Sequence, residues 1–539
     1  MKALIIDLTH GGVKIATELS KLNYFKEIFC FDIYKTLKDN EKNLLNSNNI
    51  NLIEDIALFE DEIKEKNINS KELTIISPIH CPLTSKKVRK NLKLTNNKPK
   101  KVKNNLKPKN NKLKREYSQD SNPELKNNLN HHEAVKLILA KWKLEVNKNK
   151  IPIIEVTGVK GKTSTVAMLK EILIDLNPLV LSSLGAYLYK NGKNIELKEN
   201  ISITPASILE TIELAKKIAN LENNDLNNES NHDYKSYTQE NNNEFEFNYN
   251  SCIFESSLGV TGIGNIGILT NIVENYPIAN NTSNAKEAKE QIFNCDFIVA
   301  ESETLYNCYK KKAIENKNRI NKFTLSEDFK IKSDSNLIVD KIKYGLDKTL
   351  LELSFKDIKT IYGKKINGSL AIETFALGKH HILNILSTVT AALTLEIDTK
   401  IIEERLNNFK GIKGRSSQKI LNEFRIIEEI NPGINVKAIE SSINMIKDLN
   451  EYYIIIGGRF GITCEEINEK DLATLLNKYI NEKNINLILV DELGFEVKKK
   501  IRKDVVHMND PIKAQKIAIE NKKNVLFIYR SNYSQLNKR

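Results

Sequence analysis

The sequence is poor in the patterns that build disulfide frameworks, zinc sites and membrane spans. Its six cysteines form no CxxC pair, and its eight histidines form no cluster with metal-ligand spacing. This usage argues against a disulfide or zinc framework, and it suits a reducing compartment, so we expect the protein to be cytoplasmic. The chain has no run of 18 apolar residues, and we therefore expect no membrane span. The opening MKALIIDLTHGG lacks the layout of a signal peptide and predicts a first strand and turn.

Positive charge is concentrated in one segment of the chain. The net charge is +13, but residues 86–115 alone hold 14 Lys/Arg and no acidic residue, which leaves 68 Lys/Arg against 69 Asp/Glu elsewhere. Such an Asn/Lys/Pro-rich run is typical of a solvated, disordered insertion. It offers no stacking platform for single strands, because no aromatic residue follows until Tyr117. We therefore expect no specific nucleic-acid partner, only a loose attraction to polyanions.

The rest of the chain alternates strand-like and helical patterns over more than one domain. At 539 residues it exceeds a single core, and two to four domains are expected. Strand-like runs such as ALIIDL and EIFCFDI, separated by polar helical stretches, predict parallel α/β units. We predict a Rossmann-like N-terminal domain at 1–83, a basic low-complexity insertion at 84–130, a central domain at 131–408 with a disordered insertion at 221–250, and a C-terminal Rossmann-like domain at 409–539 with about five strands.

The N-terminal domain has an ambiguous nucleotide signature. Asp32, at the end of the second predicted strand, resembles the acid that contacts a ribose in nucleotide-binding folds. The THGG that follows the first strand is, however, a poor match to GxGxxG. A degenerate Rossmann-like domain is therefore favoured over one that holds a nucleotide.

A glycine- and lysine-rich loop at 157–164 predicts a phosphate site. In IPIIEVTGVKGKTSTVAMLK (151–170), a strand pattern stops at TGVKGKT and a helix pattern follows. Such a loop points main-chain N–H groups at one spot, where the helix dipole adds positive character. We expect Lys162 to contact the outer phosphates and the Thr163 hydroxyl to hold Mg²⁺. The predicted nucleotide-binding residues are Thr157, Gly158, Val159, Lys160, Gly161, Lys162, Thr163 and Ser164.

The loop is not a full Walker A motif, and an alternative stays open. Val156 stands where G-x-x-x-x-G-K-[ST] has its first glycine. The other interpretation is a lysine-rich turn that only caps a helix.

Seven stretches in chain order resemble the Mur ligase superfamily of ATP-dependent ligases. They are TGVKGKTS, CIFESSLG, ILTNIVENYP, AKEQIF, LGKHHILN, GIKGR and IIGGRFG. The resemblance implies an N-terminal substrate domain, a central P-loop ATPase domain and a C-terminal Rossmann-like domain. It also implies that the protein uses ATP and Mg²⁺.

The resemblance assigns roles in phosphoryl transfer to several residues. Transfer of the ATP γ-phosphoryl group to a carboxylate spreads negative charge, which cations must stabilise. We expect Lys162 and Arg415 to supply them, and Arg415 to reach ATP only when the C-terminal domain closes and water is excluded. Glu255, at a predicted strand end, is the expected Mg²⁺ ligand beside Thr163, with a plain surface carboxylate as the alternative.

Five further residues receive roles from the same resemblance, each with a plainer alternative. Lys289 corresponds to the carbamoylated lysine of the family, or is one charge among several on a helix. His380 and Asn384 correspond to residues near the nucleotide, although His380 also fits a helix-terminal histidine. Thr204 and Ser207, in ITPAS, are expected to contact the acyl phosphate or the substrate, or else to cap a turn.

The chain departs from the family pattern at three places, one of which is GKHH, where the family has G-x-H-N. Asn275 and Tyr276 stand where much of the family has an Asp-His pair, so Glu274 or Asn275 is the candidate replacement ligand. The usual DYAH-type stretch is IIEEINPG, which makes Glu428 or Glu429 the acid expected near the ribose, and we favour Glu429.

Four longer stretches narrow the resemblance to the Mur-like coenzyme F(430) synthetases of methanogenic archaea. They are MKALIIDLTHGG, ITPASILETI, FESSLGVTGIGNIGILTNIVENYPIA and EEINPGIN. The resemblance implies a small-molecule tetrapyrrole substrate, activation of its side-chain carboxylate by ATP, and closure of a six-membered carbocyclic ring. Nickel would enter only as part of the substrate. Two alternatives stay open, a Mur-type amide ligase that adds an amino acid and a non-catalytic nucleotide-binding scaffold tethered by the basic segment.

Overall fold

The computed structural model describes most of the chain as two compact units. The described residues are 1–55, 59, 72–79, 81, 127–229, 247–278, 283–344, 348–376, 378–412, 416–431, 433–446, 452–461, 467–483 and 485–531. The first unit comprises Met1–Thr157, Leu179–Gly267 and Glu274–Asp296. The second comprises Gly158–Pro178, Ile268–Val273 and Phe297–Arg539.

Strands and helices alternate along both units. The strands are β1 Lys2–Ile6, β2 Glu27–Phe31, β3 Asn51–Ile53, β4 Leu73–Ser77, β5 Asn128–Asn130, β6 Ile153–Thr157, β7 Pro178–Ser182, β8 Gly185–Lys190, β9 Lys193–Lys198, β10 Ser251–Glu255, β11 Ile266–Leu269, β12 Pro277–Ile278, β13 Ser283–Asn284, β14 Phe297–Glu301, β15 Ile320–Thr324, β16 Leu337–Lys343, β17 Thr349–Lys359, β18 Lys365–Thr374, β19 Gly411–Ile412, β20 Ser416–Leu421, β21 Phe424–Ile430, β22 Tyr452–Gly458, β23 Asn486–Val490, β24 Val506–Met508 and β25 Asn524–Arg530. The α-helices are α1 Gly12–Ser20, α2 Asp39–Ser47, α3 His131–Ile138, α4 Ala140–Lys148, α5 Lys162–Ile172, α6 Pro205–Glu229, α7 Ala285–Lys289, α8 Ser302–Cys308, α9 Lys310–Glu315, α10 Phe329–Ser333, α11 Lys379–Thr394, α12 Thr399–Asn407, α13 Val436–Ile446, α14 Glu469–Lys483, α15 Asp491–Lys498 and α16 Pro511–Glu520.

The N-terminal sheet is parallel and has the order β3-β2-β1-β4-β5. Its central strand β1 is covered on both faces, which explains its unbroken apolar run. Ala3 and Ile5 pack in the core on the α1 side, whereas Leu4 and Ile6 pack with Phe59 on the other side. The strand order changes direction at β1, as expected for a Rossmann-like domain.

Further strands of the first unit run side by side in the order β6-β10-β7-β8-β9. The fully buried β6 carries a carboxylate, Glu155, which accepts hydrogen bonds from the N–H groups of Thr261, Gly262 and Gly264 and from the Thr261 hydroxyl at 2.7–2.9 Å. These four donors offset the cost of burying the charge, and they fix the loop that follows Gly259.

In the second unit, strands β18-β17-β16-β15-β14 run side by side, and α5 packs on α11 through a hydroxyl pair. The oxygen atoms of Thr165 and Ser387 are 3.1 Å apart. α11 is buried along most of its length, consistent with the apolar run ILNILSTVTAALT.

The C-terminal sheet has seven strands among its described residues, in the order β19-β20-β21-β25-β22-β23-β24, rather than the five or so predicted. The prediction missed β19 and β20, an antiparallel edge that joins β21 through Asn422 and Glu423. Both residues have positive φ, 49° and 70°, as in a two-residue hairpin turn. The turn sequence Asn-Glu lacks the glycine by which such hairpins are usually recognised.

Parts of the predicted insertions lie outside the described residues. Within 84–130, only 127–130 are described, and β5 occupies three of them. Within 221–250, α6 continues to Glu229 and residues 230–246 lie outside the description. In the described part of the chain, no helix has both the length and the apolar character needed to cross a membrane.

Candidate functional site

The glycine-rich loop 158–161 lies between β6 and the first residue of α5, Lys162, in the order that the sequence predicted. Gly158 and Gly161 have φ values of 145° and 84°, a region that L side chains rarely adopt. A Cβ atom at Gly158 would collide with the Thr270 hydroxyl, and one at Gly161 would collide with the Asn384 side chain. Both glycines are therefore required by conformation and by close packing.

Thr270 and Asn271 hold this loop in place through hydrogen bonds to its main chain. The Val159 N–H donates to the Asn271 carbonyl at 3.0 Å. The Asn271 side chain accepts from the Lys160 N–H at 3.1 Å and donates to the Lys160 carbonyl at 3.1 Å. The Thr270 hydroxyl donates to the same carbonyl at 2.6 Å. The loop is thus held in one shape by residues that follow β11.

The two lysines of the loop point to different partners. The Lys162 ammonium group donates to the Gly158 carbonyl at 3.1 Å, so it lies over the loop itself. The Lys160 ammonium group donates to the carbonyl of Gly433, just after β21. The Thr163 side chain is buried at the start of α5. Of these two loop lysines, Lys162 is therefore the one whose ammonium group lies over the predicted phosphate site.

A cluster of two histidines and one glutamate lies at the start of α11. The His381 Nε2 atom is 3.3 Å from Glu429 Oε1, and the His380 and His381 ring centroids are 4.0 Å apart. Ligand atoms of the three side chains all lie within 4.8 Å of one another. Sequence spacing did not predict this cluster, because Glu429 lies far from the His-His pair along the chain.

Both histidines of this cluster favour the neutral form. Burial lowers the pKa of His380 to about 4. Burial, together with the neighbouring His380, lowers the pKa of His381 well below its ordinary value. At neutral pH the pair therefore offers uncharged imidazoles beside the buried Glu429 carboxylate.

A small pocket of about 10 Å³ lies between α5 and α11. Its polar lining includes Ser164, His381 and Asn384, two of which the sequence analysis placed near the nucleotide. Its apolar lining consists of Met168, Phe375, Ile385, Phe409 and Ile412. Asn384 also contacts the glycine loop, so one side chain borders both features.

In the first unit, Glu255 and Lys289 are both buried, which excludes the plainer alternatives of surface charges. Glu255 ends β10, and its Oε2 atom accepts from the Ser183 N–H at 3.0 Å. The Lys289 ammonium group donates to the Ser257 carbonyl at 3.0 Å and lies 5.6 Å from the Tyr276 ring centroid. Their assignments to Mg²⁺ and to a carbamate stay predictions.

The family's Asp-His position has a structural role in this chain. The Asn275 side chain accepts from the Lys286 N–H at 2.9 Å, and the Tyr276 carbonyl accepts from the Ala285 N–H at 2.9 Å. Asn275 and Tyr276 therefore anchor α7, the short helix that carries Lys289.

Thr204 and Ser207 lie together at the start of α6. Their hydroxyl oxygens are 3.0 Å apart, and the Ser207 N–H donates to the Thr204 carbonyl at 3.1 Å. This geometry fits the capping alternative and leaves the predicted substrate contact as a prediction. Arg415 lies outside the described residues.

Sequence reasoning missed the roles of Thr270, Asn271 and His381. The signal for the first two was a Thr-Asn pair directly after a buried strand, which we had matched to the family without giving it a physical function. The signal for His381 was the His-His pair itself, of which only His380 was selected.

The fold of the chain is similar to that of MurF from Acinetobacter baumannii. Two crystal structures of that protein match with TM-scores of 0.50 and 0.51 at 14% identity, and the match covers 76% of this chain and 81% of each of those chains. At this identity the likeness concerns the fold alone. The protein therefore has the three-domain α/β fold of the Mur ligases, which confirms the predicted fold class.

Sequence similarity identifies a narrower group. The coenzyme F(430) synthetase of Methanocaldococcus jannaschii is 28% identical over 509 residues, which cover 92% of this chain and 91% of that protein. The coenzyme F(430) synthetase of Methanosarcina acetivorans is 27% identical over 518 residues, which cover 91% of this chain and 90% of that protein. Residues 418–532 match the family model described as coenzyme F430 synthetase CfbE, C-terminal domain. The chain is a relative of the coenzyme F(430) synthetases, and fold and sequence together support a ligase.

Proposed function

We propose that this protein is an ATP-dependent ligase of coenzyme F(430) biosynthesis. It activates a side-chain carboxylate of a tetrapyrrole precursor as an acyl phosphate and closes a six-membered carbocyclic ring. The observation that carries the ATP-dependent step is the glycine loop, fastened by Thr270 and Asn271 with the Lys162 ammonium group above it. The identity of the substrate rests on the similarity to the two archaeal synthetases.

The geometry of the loop suits the phosphates of ATP. Main-chain N–H groups at the start of α5, with Lys162, bind the phosphates. Ser164 and Asn384 border the small pocket beside the loop and are expected to lie near the nucleotide. Because burial favours the neutral forms of His380 and His381, these rings add no positive charge at the start of α11 at pH 7.

Mg²⁺ fits the donor chemistry predicted for it. Carboxylate and hydroxyl oxygens are hard ligands that suit this ion, and Glu255 and Thr163 supply one of each. The Ser183 N–H holds the Glu255 carboxylate in place. Glu255 and Thr163 would hold the ion, which would supply positive charge against the phosphates. A carbamate on Lys289 would replace a buried ammonium group by further oxygen donors.

The reaction needs no substrate other than ATP and the precursor. A precursor carboxylate oxygen attacks the γ-phosphorus of ATP, and ADP leaves. A carbon atom of the macrocycle then loses a proton and attacks the acyl carbon, and phosphate leaves, so the pigment loses the elements of one water. Because both reacting groups belong to one molecule, proximity is built into the precursor.

The test is ADP release by the purified protein with Mg-ATP and the seco-F(430) acid, with the pigment followed by absorbance and mass. We expect one ADP per pigment molecule and a product lighter by one water. Lys162→Ala should lower the rate at least about 1,000-fold, because it removes the cation that meets the transferring group. Lys170→Ala, on the same helix, is the matched control and should keep activity. ADP release only after amino acids are added would assign the protein to the amide ligases instead.

A further inference from the structure

The carboxyl edge of the N-terminal sheet contains polar groups that the proposed ATP chemistry does not use. Because the strand order changes direction at β1, the ends of β1 and β4 lie at a topological switch point, the position at which open α/β sheets bind ligands. The described segments at this edge are 7–12 after β1, 32–37 after β2, and 78–79 with residue 81 after β4. We name this corner the N-terminal crevice.

An aspartate–histidine pair lies at the centre of the N-terminal crevice. Asp7 is fully buried, and its two carboxylate oxygens are 2.8 and 3.0 Å from His10 Nδ1. The His10 side chain is 39% exposed. The carboxylate fixes the orientation of the ring, so that Nε2 lies at the edge remote from Asp7. The hydrogen bond that His10 donates to the Asp7 carboxylate raises the pKa of His10 and so favours its cationic form.

The backbone of Asp7 is strained in a way that is common at ligand sites. Its φ is 68°, which a residue with a side chain adopts at a cost of about 1–3 kcal/mol. In this conformation the buried carboxylate contacts His10, and its Oδ1 atom accepts a hydrogen bond from the Thr9 N–H at 3.2 Å. If this turn served only to reverse the chain direction, it would not require the buried carboxylate of Asp7.

Tyr34 stands beside His10 on a loop that Asp32 holds. The two Asp32 carboxylate oxygens accept from the N–H groups of Tyr34, Thr36 and Leu37 at 2.7–3.2 Å. Tyr34 is 42% exposed, and its ring centroid is 6.0 Å from that of His10 in an edge arrangement. Asp32 is thus engaged in loop hydrogen bonds rather than poised for a ribose, which argues against a dinucleotide at this edge.

The N-terminal crevice adjoins the start of α6. A Cβ atom at Gly11 would collide with the Ala206 side chain and would lie 3.8 Å from the Thr204 hydroxyl. The turn that carries His10 therefore packs on the ITPAS stretch, where the sequence analysis expected substrate contacts. Residues that follow β1 and β2 and residues at the start of α6 therefore lie close together.

We propose that the N-terminal crevice binds a peripheral carboxylate of a macrocyclic polycarboxylate, with His10 as its cationic anchor and Tyr34 packed against the macrocycle. His10 donates to the carboxylate through Nε2, and Asp7 is the positioning residue. The proposal rests on the proposed function, since it takes the tetrapyrrole acid as the ligand.

The experiment measures binding of the seco-F(430) acid to the full chain by absorbance titration without ATP. His10→Gln should weaken binding about 10- to 100-fold, because it removes a charge-assisted hydrogen bond. Tyr34→Leu should weaken it by a smaller factor. His507→Gln and Tyr362→Leu are matched controls outside the crevice and should bind as the wild type does. Binding of a fluorescent ATP analogue and the thermal midpoint report whether each variant is folded.

The Asp7→Asn variant tests whether Asp7 positions His10 or has only a structural role. If Asp7 orients His10 and favours its cation, the His10 NMR titration should move to lower pH in the folded variant, and precursor affinity should fall. An unchanged His10 titration would contradict this role.

The outcomes separate this inference from the proposed function. Precursor-dependent ADP release with unchanged precursor binding by His10→Gln and Tyr34→Leu would overturn the inference alone. Loss of binding in these variants without any turnover by the wild type would support the crevice and overturn the ligase reaction. A wild type that binds no precursor and releases no ADP in its presence would overturn both, and one that releases ADP without binding the precursor in this titration would overturn the inference alone.

Discussion

The Asn271 side-chain amide bonds both main-chain polar groups of Lys160, accepting from its N–H and donating to its carbonyl, each at 3.1 Å. One side chain thereby fixes a peptide two residues ahead of Lys162, so the loop has its binding shape before any nucleotide arrives. Because the loop is already ordered, nucleotide binding does not have to offset the conformational entropy of ordering it.

Asn271→Asp tests this clamp, because it keeps the shape of the side chain but removes the amide donor and adds a negative charge. We expect the affinity for ATP to fall by about 1–3 kcal/mol, roughly 5- to 150-fold. Calorimetric titration with a non-hydrolysable ATP analogue measures this.

Asn336 provides a matched control for the Asn271 clamp. Its side chain accepts from the Lys322 N–H at 2.9 Å and donates to the Lys356 carbonyl at 3.0 Å, away from the glycine loop. Asn336→Asp should lose stability and keep the affinity for ATP. Equal losses of ATP affinity in both variants would contradict the clamp.

Gly161→Ala tests whether the glycine loop needs both its conformation and its close packing. The new methyl group would meet the Asn384 side chain at a φ of 84°. We expect ATP binding to fall below detection at millimolar nucleotide. Gly363 has nearly the same φ, 83°, with nothing near its missing Cβ, so Gly363→Ala adds backbone strain of about 1 kcal/mol and no collision. Equal ATP affinity in the two variants would contradict the packing argument.

Lys289 should carry a carbamate when carbon dioxide is supplied. We expect a ¹³C NMR carbamate signal from protein in ¹³C-bicarbonate, absent from Lys289→Met and present in Lys286→Met on the same short helix. Activity of Lys289→Met should drop at least about 100-fold, since removing groups that stabilise transition-state charge has effects of this size. An identical signal in Lys289→Met would assign the carbamate to another amine.

The sequence was sufficient for features that depend on neighbours along the chain. The strand–loop–helix order at 151–172 and the parallel N-terminal sheet follow from apolar periodicity and turn residues, which are local signals. The His381–Glu429 contact and the Asn271–Lys160 clamp join residues 48 and 111 positions apart, and no local pattern encodes them. The β20–β21 hairpin was missed for a different reason, because its Asn-Glu turn adopts positive φ without glycine.

The neutral histidines of α11 predict a loss of stability in acid. In the unfolded chain His380 takes up a proton near its ordinary pKa of 6.5, whereas burial lowers the pKa of the folded His380 to about 4. Between these values the unfolded chain binds more protons, so the free energy of unfolding should decrease as the pH falls from 6.5 towards 4, by at most about 1.4 kcal/mol per pH unit for each such group.

His380→Gln removes one of these groups, and it should flatten the decline in the free energy of unfolding across this pH window. Denaturant titrations at half-unit pH steps measure the slope in the wild type and in the variant. The neighbouring His381, whose pKa burial also lowers, should leave a residual slope in His380→Gln. A slope unchanged from the wild type would mean that His380 is protonated in the folded protein, and the Glu429 carboxylate would then face a cation at the start of α11 rather than a neutral ring.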